Sequence, residues 1–349
     1  MDNYFIIAGL AVIMAFTLVL PFSVKKVEEE LEAFLFVMGA AAVTISGVWS
    51  GRLVIEALKE PLPITLAVLT VGFIFKRVRH RIKDWLGRLT AKFGLPRTVF
   101  IIITFLGFAS SILTAIIASL ILAEVISVLE LERSYEVRTV VYACYAIGLG
   151  AALTPLGEPL STIAIAKLKG PPHNADFFYL IKQLGVWVAP GVLLTAFIAG
   201  FGVGKAASGK AGLTEDAIED NKSIVVRAAR VYLFVMALIF LGAGLKPLAE
   251  RFVPGMPVWA LYWANSVSAV LDNATLVAAE VTPFMSGRQV TFVLMGLLVS
   301  GGLLIPGNIP NIVCAAKLDI SSGEWARAAL PCGAALMLVY FVLLSVFVK

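Results

Sequence analysis

Apolar runs long enough to cross a bilayer follow one another along almost the whole chain, and this constrains the fold more than any single motif. The first, 4–22, has the length a helix needs to span a hydrocarbon core of about 30 Å. Nine more lie at about 33–57, 62–76, 98–129, 139–168, 177–204, 223–246, 256–282, 289–318 and 328–348. In lipid every backbone N–H and C=O must find a partner within the protein, so such runs fold as helices. Composition closes off the alternatives: 60% of the residues are apolar and 15% charged, against about 45–50% and about 25% in soluble domains. A soluble chain of 349 residues has no core able to hide that surface. Soluble enzymes, nucleic-acid binders and disordered scaffolds are thereby excluded, and the expected partner is the lipid bilayer of the cell membrane. Cys144, Cys314 and Cys332 sit inside apolar runs and form neither a disulfide framework nor a spaced metal site. His80 and His173 read as loop residues, and neither Gly-x-Ser-x-Gly nor His-Glu-x-x-His occurs. Neither an enzyme nor a resident cofactor is expected.

Lys and Arg in short loops set the orientation. The run 76–97 holds Lys76, Arg77, Arg79, Arg81, Lys83, Arg88, Lys92 and Arg97, and reads as a cytoplasmic amphipathic linker on anionic lipid. The first segment begins after Asp2 with no basic residue, so it reads as a membrane segment rather than a removable signal. If 98–129 and 256–282 are re-entrant hairpins dipping in from opposite faces, the loops with Lys25/Lys26, Arg133/Arg138, Lys205/Lys210/Lys222 and Arg327 all fall inside. Both termini then fall outside.

The sequence also repeats itself. IASLILAEV (117–125) echoes NATLVAAEV (273–281) at a spacing of 156, and the AKL endings 166–168 and 316–318 match at 150. Pro155 and Pro159 pair with Pro306 and Pro310. The charge-derived topology turns the second copy upside down, a pattern of secondary transporters. The expected fold is an all-α polytopic membrane protein of two inverted-topology repeats, each with a re-entrant hairpin and a broken transmembrane helix. The first repeat covers 1–204: scaffold helices within 3–76, the linker 76–97, hairpin 98–129, broken helix 139–168 and helix 177–204. A cytoplasmic linker, 205–222, precedes the second repeat, 223–349, with scaffold helix 223–246, hairpin 256–282, broken helix 289–318 and helix 328–348.

Prolines that delete helix donors and a glycine that lets the chain turn mark 154–162 (TPLGEPLST) as an unwound link. Pro306, Gly307, Asn308, Pro310 and Asn311 repeat the device. Unwound backbone at membrane depth survives only where it lines a protein-walled cavity. Its freed carbonyls, with Thr154, Ser161, Asn308 and Asn311, offer hard oxygen ligands for a small cation, whereas the half-helix N-termini would suit an anion. Two acids bear on the choice: Glu158 in the first break and Asp272 in LDNAT at the second hairpin tip. A buried Asp costs about 2.5–3.5 kcal/mol at a helix centre, so an acid there points to function. A carboxylate that holds either a proton or a cation makes the two compete, and alternating access turns competition into exchange. The bland readings are an N-cap for Asp272, a backbone partner for Glu158, packing for Ser110, Ser111 and Thr114, snorkelling for Lys167 and Lys317, and helix-end solvation for Glu124 and Glu280.

With LDNAT, TPLGEPLST and PGNIPN together, the chain resembles the ion transporter superfamily, which includes NhaD-type sodium/proton antiporters, arsenite-efflux permeases and divalent-anion/sodium symporters. It is most similar to a small family of predicted cation transporters in archaea and bacteria. The resemblance implies a scaffold part, often dimeric, and a mobile transport part. By it Asp272, Asn273 and Thr275 look like an Asp-Asn-x-Thr tip, and Thr154, Pro155, Gly157 and Glu158 like the first break, with Ser161 and Thr162 just after it. Gly307, Asn308 and Asn311 look like the second break, and Asp272, Glu158 and Asn308 like ligands of a transported cation rather than a structural metal. It departs at Ile117, where the second copy has Asn273, and at the second break, which has Asn in place of the acid. The implied function is exchange of a small cation, sodium first, for protons. The alternative is sodium-coupled transport of a carboxylate, sulfate or arsenite.

Overall fold

A computed structural model describes residues 3–129, 131–201, 221–252, 256–269 and 273–348. Among these the chain is helical, without strands. The first five helices are α1 (Asn3–Ser23), α2 (Lys25–Glu29), α3 (Leu31–Ser46), α4 (Gly51–Lys59) and α5 (Pro61–Phe93). Next come α6 (Leu95–Leu113), α7 (Ala115–Leu129), α8 (Arg133–Ala151), α9 (Pro159–Lys167) and α10 (Tyr179–Phe201). After them run α11 (Asn221–Phe252), α12 (Val258–Ala264), α13 (Asn273–Glu280), α14 (Gly287–Ser300), α15 (Ile309–Leu318) and α16 (Ser322–Phe347). Short 3-10 turns occupy Asn265–Ala269 and Ile305–Gly307.

Six stretches among the described residues are long and apolar enough to cross a membrane: Tyr4–Ser23, Gly51–Phe93, Leu95–Leu113, Tyr179–Phe201, Asn221–Leu248 and Ser322–Phe347. Large apolar side chains such as Phe5, Phe105 and Val186 stand exposed on them, the surface of a protein solvated by lipid tails. The chain is a multi-pass membrane protein.

The remaining apolar segments are subdivided. The run 33–57 stops at Gly47, whose φ of 70° ends α3 in the left-handed conformation. The basic run 76–97 is not a separate linker. Helix α5 continues through it to Phe93, because Lys, Arg and Leu are good helix formers and the breakers Gly94 and Pro96 come only afterwards. His80 therefore lies within α5 rather than in a loop. Of the linker 205–222, residues 205–220 lie outside the described residues, and Asn221 already opens α11.

Two bodies result. In one, α11 packs along α3 with α1, α4 and α5 around them. The crossing is close because glycines meet a small-residue surface. A Cβ on Gly39 would lie 2.9 Å from the Ala237 carbonyl, and one on Gly244 2.5 Å from Ala42 Cβ. In the other body α6, α8 and α10 pack mutually, and α14 packs on both α12 and α16. The two trios meet chiefly through α8. The short arms cross over: α7 packs on α15, and α9 on α13. Each helix that follows a hairpin tip is thus seated against the half-helix that follows the other trio's break.

Candidate functional site

The first break spans 152–158, between α8 and α9. Gly157 is required sterically, since a Cβ there would overlap the Ala151 carbonyl. The freed polar groups find local partners. The Thr154 hydroxyl donates to the Ser111 carbonyl, Leu156 N–H donates to Thr154 Oγ1 at 3.2 Å, and Thr162 Oγ1 donates to the Pro155 carbonyl at 2.6 Å. Ala115 N–H donates to the Gly157 carbonyl at 2.8 Å. Break and hairpin tip are therefore one unit, with the chain reversing at Thr114 (φ 76°) between α6 and α7.

The second break spans 301–308, between α14 and α15. Here side chains reach in from the following helices: Asn311 Nδ2 donates to the carbonyls of Gly301 and Leu304, both at 2.9 Å, and Trp325 Nε1 to that of Gly302 at 3.2 Å. Ser300 Oγ donates to the Asn265 carbonyl at 2.7 Å, tying this break to the second hairpin. Glu158 and Asn308 are the N-cap residues of α9 and α15 and share one extended conformation, φ −156°, ψ 160° and φ −155°, ψ 148°. Neither side chain caps its own helix.

Both breaks, the first hairpin's tip and the start of α13 open on one cavity of about 370 Å³, lined by Thr114, Ala115, Gly157, Glu158, Thr162, Asn273, Ala274 and Asn308 among others. No Lys or Arg is among the described residues that line it. Asn273 is 4% exposed, and neither polar atom of its side-chain amide has a hydrogen-bond partner among the described residues. The Asn311 carbonyl oxygen is likewise buried without a donor. Buried amides without partners cost about 1–3 kcal/mol per group, so the arrangement is suited to a polar or cationic guest. Among the described residues no three His, Cys, Asp or Glu gather, and the available ligands are hydroxyl, amide and carbonyl oxygens with the Glu158 carboxylate. Such a set suits hard cations rather than transition metals. A second cavity of about 510 Å³ borders the other face of the second break at Ile305 and Ile312. Glu28, Glu29, Glu30, Glu32 and Asp319 line it against Lys25 and Arg230, an excess of negative charge that concentrates cations.

Of the residues expected from sequence, Gly157, Glu158, Thr162, Asn273 and Asn308 line the cavity. Thr154, Ser161 and Asn311 are buried beside it, and Thr154 and Asn311 hold the breaks in shape. Gly307 ends the 3-10 turn before Asn308. Asp272 lies outside the described residues, as does the Thr275 side chain. Lys167 and Lys317 do not snorkel. Lys317 Nζ is ion-paired with Glu124 Oε1 at 2.8 Å, its side chain 8% exposed, and Lys167 Nζ donates to the Ala278 carbonyl at 2.5 Å. Each lysine crosses to the opposite trio's hairpin because the half-helices are swapped between trios; neither ends at a free surface. Asn265, 1% exposed beside the second break, escaped the sequence reading. Its signal was present: a lone Asn in an apolar hairpin arm.

No curated protein matches this chain. A family model described as "Protein of unknown function (DUF1646)" matches residues 7–347, nearly the whole sequence, and the chain belongs to that family.

Proposed function

We propose that the protein is a secondary active transporter that exchanges a small cation, sodium first, for protons at the cavity between the two breaks, the first tip and the start of α13. The observation that supports this best is the convergence there of residues distant in sequence: Thr114, Glu158, Asn273 and Asn308 line one cavity that carries an acid and, among the described residues, an amide without a hydrogen-bond partner and no basic side chain. Asp272, next to Asn273, supplies the second acid in this reading. Protons and cations compete for the carboxylates, and exposure to alternate faces converts competition into exchange. The trios are read as inverted-topology repeats, with α6–α7 and α12–α13 as re-entrant hairpins. The matched N-cap conformations at Glu158 and Asn308 support that relation. The reaction is transport without covalent chemistry and needs no resident cofactor, and the α3–α11 body is the surface on which a homodimer would form. The protein sits in the cell membrane with the basic end of α5 inside and both termini outside.

A second reading, sodium-coupled transport of an anion, draws on the N-termini of α9 and α15, whose partial positive charge faces the same cavity. One experiment separates the two. Purified protein in vesicles carrying a pH dye is challenged with Na⁺, Li⁺, K⁺ or Ca²⁺. A cation-driven pH change supports exchange, and silence with every cation across neutral and alkaline pH overturns it. Asp272→Asn abolishes the signal in a folded protein; retained exchange moves the proton-carrying role to Glu158.

A further inference from the structure

The second hairpin ends in a carboxyl that the exchange site does not use. Glu280 closes α13 and is 3% exposed. Its partner is Asn265 on the adjoining 3-10 turn. Two acceptors of this pair, Glu280 Oε2 and Asn265 Oδ1, are buried and receive no hydrogen bond. The elements packed on α13 carry Lys167 on α9, Lys246 and Arg251 in the last turns of α11, and Arg288 at the start of α14. Among the described residues none of these is ion-paired with Glu280. Arg251 lies over the Tyr4 ring, Arg288 over Phe292, and Lys167 holds the Ala278 carbonyl, two residues short of the carboxyl.

The other half contains the same pair in a different state. Glu124 stands 156 residues before Glu280, and Lys317 stands 150 residues after Lys167. Glu124 and Lys317 meet at 2.8 Å with side chains 11% and 8% exposed. A carboxylate withdrawn from water is tolerated there because an ammonium accompanies it. Glu280 has the same burial without the ammonium, and an ionised carboxylate so placed is far costlier than a neutral carboxyl. A proton on Glu280 also supplies the donor that its two unserved acceptors lack.

We infer that Glu280 is a second proton-binding site. In this conformation its carboxyl is protonated and bonded to Asn265. When the O–H bond breaks, the proton passes to water at that end of the protein, and the Lys167 ammonium leaves the Ala278 carbonyl for the new carboxylate. The pair so formed repeats the one Glu124 and Lys317 already make. The assignment of a proton rests on burial and pairing; only its coupling to cation movement rests on the transport reading.

Infrared difference spectroscopy of the purified protein between neutral and alkaline pH tests this without a transport readout. The carbonyl stretch of a protonated carboxyl is present at neutral pH and lost on alkalinisation. In E280Q one carboxyl's share of that band is absent, and in E124Q it is retained. An E280Q spectrum identical to wild type overturns the proposal. K167M leaves Glu280 in place and decides the matter even if E280Q does not fold. Without the ammonium the band persists to higher pH, and an unchanged midpoint overturns the exchange of partners. Loss of the band in E280Q, in a protein whose wild type moves no cation, supports the proton site and counts only against the transport reading.

Discussion

Asn311 ties the second break to α15, because its amide serves two carbonyls of the break, those of Gly301 and Leu304. Replacing it by Ala leaves the Gly301 carbonyl without that donor and the Leu304 carbonyl with only the Gly307 N–H at 3.3 Å, at about 1–3 kcal/mol for a buried group left unserved. Asn311→Ala is therefore expected to lower the thermal unfolding midpoint in detergent clearly, and Asn311→Asp to lower it further, since the new oxygen would face two acceptors. In the first break the load is divided between Thr154 and Thr162. Thr162→Val removes one bond to the Pro155 carbonyl and should cost only about 1 kcal/mol. A larger effect for Thr162→Val than for Asn311→Ala would refute this division. The sequence marks Thr154, Thr162 and Asn311 as polar residues at a break. Which of them line the cavity and which hold its wall depends on rotamers fixed by neighbouring helices.

Among the elements, the first break and its hairpin tip are held together by short contacts. Gly157→Ala drives a methyl into the Ala151 carbonyl and should displace the loop bearing Glu158. We expect exchange to fall at least about tenfold, which a misplacement of the binding group by about 1 Å can produce. Gly170→Ala meets open space and serves as the control that leaves exchange unchanged. A second element-scale feature is the clasp at the start of α8. Arg133 donates to both carboxylate oxygens of Glu324 at 2.8 Å and to the carbonyls of Leu318 and Asp319 at 2.8 and 2.6 Å. It thereby joins the end of α15 to the start of α16. Lysine cannot reproduce this planar, two-pronged contact. Arg133→Lys should therefore destabilise the protein nearly as much as Arg133→Ala, and melts that separate the two widely would show that charge alone suffices.

For the molecule as a whole, the open matter is how α6 lies relative to the bilayer. Its 19 residues are enough to cross, whereas the re-entrant reading returns α7 to the face from which α6 entered. Arg88 on α5 and Ser134 at the start of α8 flank the hairpin and are exposed. In a cysteine-free background, Arg88→Cys and Ser134→Cys should both react with an impermeant maleimide from the cytoplasmic face, and Lys169→Cys only from the opposite face. Labelling of positions 88 and 134 from opposite faces would remove the re-entrant hairpin and, with it, the inversion of the repeats.

The sequence by itself determined the membrane class, the helical content, the two broken helices and the residues at the breaks. These follow from local properties: run length, apolar content and the donors and turns that Pro and Gly remove or permit. It misjudged whatever depends on contacts between distant segments. The run 76–97 read as a linker because its charge is local, yet α5 continues through it. Lys167 and Lys317 read as interface residues because two turns separate them from the breaks, yet each ends on the opposite trio's hairpin. The tertiary structure alone decided that the half-helices cross between trios. That crossing brings both breaks, the first tip and the start of α13 to one cavity, pairs Glu124 with Lys317 and leaves Glu280 with Asn265. The physical reason is that periodicity fixes which face of a helix is apolar, while the identity of its neighbour is chosen by packing over the whole fold.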